Sequence, residues 1–295
     1  MHTRRLRLLL CLLSSLCSVC DAQVTPSPYQ VLNGNWRILP ATDPSDSLTT
    51  LSSLGFQSFV VTLAVDGDRI YGDGHLDMKC GRERLGIGLF LDGQILSDGS
   101  FTLSNPSVYR GLSADSFVVE GSLPAPGAIV WRGRFSSHVA WQNHACTAEE
   151  GEVLVTQLPL LTGTYAGMIR DGNDSVTSEI TMEIAQGNLI STSLQDRGLQ
   201  HCVPISVKIT MTGTSEPFVG VFARTANSDC SSKVSGSAFT QEIPAGDGGS
   251  FGFAGFVDYS DSKANTFNLG LTYVPKHDPR ESRRTVWLWG ELKRR

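Results

Sequence analysis

The sequence is poor in charge, in helical stripes and in long apolar runs. Charged residues make up 18% of its 295 residues, against about a quarter in ordinary soluble domains. Acids outnumber bases, 29 to 24, for a formal net charge of −5. That balance argues against a nucleic-acid binder working through a basic face. After the N-terminus no segment approaches the ~20 apolar residues that a membrane-spanning helix needs. Apolar spacing of helical period never outlasts a turn or two, and residues 46–54 are the best helix candidate. Hydrophobic residues still reach 40%, with 30 glycines and 13 prolines, a composition of packed cores and many turns rather than disorder, coiled coil or collagen.

The N-terminus has the order of a secretory leader: Arg4, Arg5 and Arg7, an apolar stretch over 8–19, then Cys20-Asp21-Ala22. The predicted signal peptide is 1–22, cleaved after Ala22, with 23–32 as a short linker. An acylated cysteine would follow a small residue, whereas Cys17 follows Leu16 and Cys20 follows Val19. The Cys17–Cys20 CxxC spacing lies within the leader and carries no redox reading for the mature chain. The expected location is secreted or periplasmic, with no transmembrane helix.

Of seven cysteines, Cys80, Cys146, Cys202 and Cys230 lie beyond the leader. An even set in an exported chain reads as two disulfides. Their wide spacing lacks the close pairs of a tetracysteine zinc site, the alternative use of four cysteines.

The strongest signal is an internal repeat. Leu32-Asn33-Gly34-Asn35-Trp36 recurs as Leu161-Thr162-Gly163-Thr164-Tyr165. Residues 61–65 recur as 180–184, Cys80 matches Cys202, and Trp131-Arg132-Gly133-Arg134-Phe135 matches Phe253-Ala254-Gly255-Phe256-Val257. The reading is two copies of one β domain, 33–157 and 160–295, joined by Gln157-Leu158-Pro159-Leu160. Of the three possible connectivities, the repeat favours one bridge per copy: Cys80–Cys146 and Cys202–Cys230. Cys146 and Cys230 have no counterparts in the other copy.

Within each copy apolar residues alternate with period two, the mark of half-buried strands. Predicted strands are 59–65, 69–76, 86–95, 100–103, 117–123 and 128–135, then 175–185, 189–194, 203–212, 218–223, 233–240, 250–259 and 266–273. Asp66-Gly67 between two of them is a hairpin signal. The expected fold class is all-β: two tandem antiparallel β-meander domains, barrel or sandwich, about eight strands each.

Gly34-Asn35-Trp36 at the start of a meander resembles the opening of lipocalins and avidins, which implies a barrel with the tryptophan plugging one end. The Leu-x-Gly-x-Trp/Tyr openings, short hairpins and one cysteine pair per copy resemble uncharacterised bacterial secreted and lipoprotein β-repeat proteins over residues 32–275. That likeness implies export and β structure and carries over no active residues.

Several constellations invite chemistry. Gly248-Gly249-Ser250-Phe251-Gly252 matches a nucleophile elbow, which needs a helix after the serine; a strand is predicted there, so it reads as a turn. Asp73, His75 and Asp77 share one strand face, and with His138 and His144 they are the candidate metal or acid–base set. Asp66-Gly67-Asp68 fails the calcium-loop pattern because Ile70 occupies a ligand position. Asn173-Asp174-Ser175 fits a glycosylation acceptor. Trp131, Trp141, Trp287 and Trp289 could line a sugar or apolar site, with burial in cores as the expectation. The basic end, Arg283, Arg284 and Lys293-Arg294-Arg295, reads as a solvated tail.

The expected function is a non-enzymatic ligand-binding or structural interaction module without cofactor. Its partner would be a small molecule, glycan or protein held at a barrel mouth or between the copies. An outer-membrane barrel and a secreted hydrolase are the alternatives.

Overall fold

The computed structural model describes residues 28–41, 55–106, 116–141, 144–146, 148–171, 176–194, 198–213, 219–226, 230, 232–245, 248–258, 265–276 and 286–295. The leader, the 46–54 segment, Asn173 and residues 279–284 lie outside them.

The fold is all-β. A short 3₁₀ turn, Pro28–Leu32, leads into β1 (Gly34–Pro40), β2 (Phe56–Asp66), β3 (Arg69–Cys80), β4 (Glu83–Ile95), β5 (Ser100–Ser104), β6 (Phe117–Ser122) and β7 (Val130–Ser137). The two-residue strands β8 (Ala140–Trp141) and β9 (His144–Ala145) form a small ear, and β10 (Glu149–Leu158) follows. Strands β1–β7 and β10 form a closed antiparallel barrel in which β1 pairs with both β2 and β10. Closure leaves no sheet edge to be satisfied by another chain.

The second sheet begins the same way. Its strands are β11 (Thr162–Arg170), β12 (Val176–Gln186), β15 (Ile205–Thr212), β16 (Gly220–Arg224), β17 (Val234–Ser235), β18 (Ala238–Pro244), β19 (Ser250–Asp258), β20 (Thr266–Val274) and β21 (Val286–Arg294). Here β11 lies between β12 and β21, as β1 lies between β2 and β10. The nine strands do not close: β16 and β17 are the two ends of the sheet, and Arg224 crosses to β18 by donating to the Glu242 carbonyl at 2.9 Å. A side hairpin, β13 (Ile190–Leu194) with β14 (Gly198–Cys202), stands out between β12 and β15.

Alternation puts the large apolar side chains inside both sheets. The barrel is filled by Trp36, Phe56, Phe59, Phe117 and Phe135, with the Phe56 ring 4.6 Å from Phe135 and 5.4 Å from Phe117. It is therefore a packed core and not a ligand-holding lumen. Trp36 is fully buried and donates its indole N–H to the Leu32 carbonyl at 2.7 Å. Tyr165, its counterpart, is equally buried and packs on Phe267 at 5.4 Å. The glycines two residues before them have φ of 136° and 144°, a region that only glycine enters freely.

Two disulfides are present, Cys80–Cys146 and Cys202–Cys230, so all four cysteines are used and a tetracysteine metal site is ruled out. Among the described residues no helix is long and apolar enough to cross a membrane. The C-terminal expectation is corrected: residues 286–294 are not a solvated tail but a strand paired on both sides, with β11 and β20. Their basic residues are used locally, Arg294 donating to the Thr162 carbonyl and Lys293 to Thr266 Oγ1, both at 2.9 Å.

The halves meet through a polar seam. Asn35 and Gln186 exchange amide hydrogen bonds of 2.9 and 3.1 Å, and the Gln186 oxygen also accepts from the Leu161 N–H at 2.9 Å. Thr62 donates to Asn35 at 2.9 Å and accepts from the Gly236 N–H at 3.1 Å. Asp73 takes an ion pair from Lys233 and a 2.6 Å hydrogen bond from Ser235. Val60, on the outside of the barrel, packs into the core of the second sheet.

Candidate functional site

On β21 the alternation runs against size. Leu288, Gly290 and Leu292 face inward, so Trp287 and Trp289 face out, 68% and 53% exposed. Pairing registers extend each indole into a row across the sheet. Trp287 lies beside Thr272, which pairs with Gly252, which pairs with Glu242. Trp289 lies beside Gly270, then Ala254, then Thr240. In the next row come Glu291, Asn268, Phe256 and Ala238, with Phe256 50% exposed.

The rows make a trough. Its floor is Gly252, Ala254 and Gly270, which raise nothing larger than a methyl group between the indoles on β21 and the Thr240–Glu242 rim on β18. Two adjoining concavities of about 700 and 410 Å³ share Thr240, Ala254 and Gly270. The Gly270 floor is open: a Cβ there would meet only the Ala254 carbonyl at 3.6 Å. Neutral donors and acceptors, Thr240, Thr272, Ser250 and Asn268, lie among the apolar surfaces. Charges stay at the margins, with Arg224 and Glu242 at the β18 side and Glu291 ion-paired to Lys293. Exposed indoles beside a concavity with a few polar groups are the makings of a ligand site.

The tryptophan expectation therefore divides. Trp131 is a core residue, 6% exposed, set edge-on to Trp36 and Phe101 at 6.2 and 5.4 Å, while Trp287 and Trp289 are surface residues, contrary to the expectation of burial. The Trp141 side chain lies outside the described residues.

The histidine set does not gather. Asp73, His75 and Asp77 share the outer face of β3, as expected, but each has its own surroundings. Asp73 is taken by Lys233, Asp77 meets Arg84 at 3.3 Å, and the His75 ring lies across the strand pair over Gly86. His138 is exposed just beyond β7, and the His144 side chain lies outside the described residues. Among the described residues no three His, Cys, Asp or Glu side chains cluster to hold a metal. The Gly248–Gly252 motif is a turn, with Gly248 at φ 82°, opening strand β19.

A second concavity, about 510 Å³, lies between the halves, lined by Asn33, Leu63, Asp66, Gln186, Asn188 and Ser191 among others. Beside it stands a pair that the sequence did not flag. His201, 7% exposed, stacks on Tyr71 of the barrel, ring centres 3.7 Å apart, with Nδ1 2.8 Å from Ser191 Oγ. Ser191 and His201 are cross-strand partners in the β13–β14 hairpin, a proximity visible only once the register is known. Serine beside imidazole is a nucleophile–base contact. Among the described residues no carboxylate hydrogen-bonds the imidazole to complete a triad.

Burial lowers the pKa of His201, opposed by Asp66 and Asp92 and assisted by Arg69; burial likewise raises that of Tyr71, helped by Asp92 and opposed by Arg69. A histidine whose folded pKa is depressed binds fewer protons folded than unfolded, so acid favours unfolding. Stability is expected to fall as pH drops from about 6.5, before most carboxylates titrate, and His201→Gln should flatten that decline. Urea midpoints of both proteins across this range provide the check; identical slopes refute the assignment.

No protein-family model matches the chain, and no curated protein matches it in sequence.

Proposed function

We propose that the protein is an exported, non-enzymatic binding module that takes its ligand on the outer face of its second sheet. One observation carries this: Trp287 and Trp289 stand exposed, one strand repeat apart, over a floor of Gly252, Ala254 and Gly270. Burying an indole face stabilises a complex in proportion to the apolar area removed from water. Contiguous exposed apolar surface on a folded chain marks interaction sites more often than chance.

Export rests on the leader reading, supported by two disulfides and by the likeness to bacterial secreted β-repeat proteins. The outer-membrane alternative is disfavoured because outward positions of the barrel carry His75, Glu120, Arg132, Arg134 and Glu152, charges that lipid would not solvate. The packed barrel interior favours a surface site over a lumen, and the hydrolase alternative finds no supporting cluster of three His, Cys, Asp or Glu side chains among the described residues.

Trp287→Ala, Trp289→Ala and Gly270→Leu test the reading, the last by filling the floor. None of the three touches a core side chain, so each variant is expected to keep the parent's fold by circular dichroism. Tryptophan fluorescence titrated with polysaccharides, fatty acids and peptides should respond to one class, and each variant should lose that response. A ligand that all three variants bind as the parent does would place the site elsewhere and overturn the proposal.

A further inference from the structure

Resting on that reading of the trough, we infer that its ligand is a neutral polysaccharide, bound along an internal stretch of the chain and lying parallel to the strands. Shape gives the first argument. The two concavities join through Thr240, Ala254 and Gly270 and continue in both strand directions, towards Ser250 and Val274 at one end and Phe256 and Asn268 at the other. A trough elongated along the strands accepts the middle of a polymer, with the half-exposed Phe256 ring at one end as a further stacking surface, whereas a blind pocket selects a chain end. Successive outward residues on a strand advance ~7 Å, the scale of one sugar unit, so Trp287 and Trp289 can meet neighbouring rings.

Chemistry gives the second. A pyranose has an apolar C–H face and a rim of hydroxyls. Here the indoles stand with Thr272 beside Trp287, Asn268 in the row next to Trp289 and Thr240 on the facing rim, so apolar contact and neutral hydrogen bonding line the same trough. An acyl chain would want continuous aliphatic lining, but the larger concavity offers only Ala254 on its floor and Val274 at its end. An anionic polymer would want a basic lining; the bases near the indoles are the separated Arg224, beside Glu242, and Arg170, across β21 from the floor and paired with Trp289. A peptide adding as a strand needs an open sheet edge; the floor strands β19 and β20 are each paired on both sides, so such a peptide would add at the edges left along β16 and β18 and not along the trough.

The experiment is affinity electrophoresis of the exported full chain in gels containing mixed-linkage β-glucan, xyloglucan or galactomannan, with polygalacturonate as the anionic control. Calorimetry with short and long oligosaccharides of whichever neutral polymer binds, and separately with palmitate, completes it. Expected are retardation by at least one neutral polymer, tighter binding of longer oligosaccharides, and a loss of about tenfold in affinity in Trp287→Ala and in Trp289→Ala. Gly270→Leu should abolish retardation while circular dichroism and melting stay unchanged. Binding of palmitate or polygalacturonate but of no neutral polymer, lost in the same variants, sinks the polysaccharide and keeps the trough as a ligand surface. A concentration-dependent dimer by light scattering that Gly270→Leu dissolves, with no retardation, makes the face a self-interface and sinks it too. Retardation that survives all three variants overturns both readings.

Discussion

Replacing Gly236 by alanine is expected to undock the two halves of the molecule without unfolding either sheet. Gly236 turns the chain between β17 and β18 at φ 60°, and its N–H reaches Thr62 Oγ1 across the seam. A Cβ there would lie 2.2 Å from the Val60 carbonyl oxygen and 2.7 Å from its carbon. Both atoms are backbone within a barrel strand paired on two sides, so neither can yield cheaply. The overlap should weaken docking by about 1–3 kcal/mol, while the left-handed conformation costs the turn about 1–2 kcal/mol for any L side chain whether or not the halves are docked. Gly67 is the control: its φ is 61°, but a Cβ there meets nothing within 4 Å, so Gly67→Ala carries the backbone cost alone. Small-angle scattering of the intact chain should show a longer particle for Gly236→Ala only. Protease cutting in the Gln157–Leu160 connection should rise with it. Unchanged scattering and cutting would show that the seam tolerates the extra carbon, and the docking argument would fail.

That seam was invisible in the sequence, and the reason is physical. Period-two alternation reports which face of a strand is buried, and it located strands such as β3, β4, β12, β19 and β20 to within a few residues. It is blind to what covers the other face. Thr62 and Asp73 read as outward polar positions, and only Val60 and Ala64 mark the covered face of β2 as apolar. The closing strands were missed for a related reason. Strand β10 begins Glu149-Glu150-Gly151-Glu152, and β21 ends Glu291-Leu292-Lys293-Arg294, so local composition looked like loop and tail; pairing with β1 and β11 makes them strands. The candidate site was half legible. Trp287 and Trp289 were flagged as aromatic, but large apolar residues default to the interior, and here Leu288 and Leu292 hold that face instead. The glycine floor needed the register that sets Gly252, Ala254 and Gly270 side by side.

Removing the Cys80–Cys146 bridge as a double alanine variant is expected to cost more than removing Cys202–Cys230. The bridges close sequence separations of 66 and 28 residues. Constraint of the unfolded chain grows with the logarithm of loop length, which gives about 4.4 kcal/mol for the longer loop and about 3.6 kcal/mol for the shorter. The positions widen the gap. Cys80 ends β3 and Cys146 follows the β8–β9 ear, its N–H bonded to the Val139 carbonyl at 3.1 Å; the bridge thus ties the ear to the closed barrel near buried Val139 and Met78. Cys202 and Cys230 instead clamp the base of the β13–β14 hairpin to the segment before β17, where His201 and Lys233 already hold the neighbouring seam through Tyr71 and Asp73. Loss of the second bridge should therefore loosen the hairpin and the stack on Tyr71 while the second sheet keeps its register. Urea unfolding followed by tryptophan fluorescence and far-ultraviolet circular dichroism separates the two outcomes. The Cys80–Cys146 variant should shift both signals to markedly lower urea, and the Cys202–Cys230 variant less. Equal midpoints in both variants and the parent would mean that neither bridge constrains the unfolded chain, and the staples would have no part in holding these sheets.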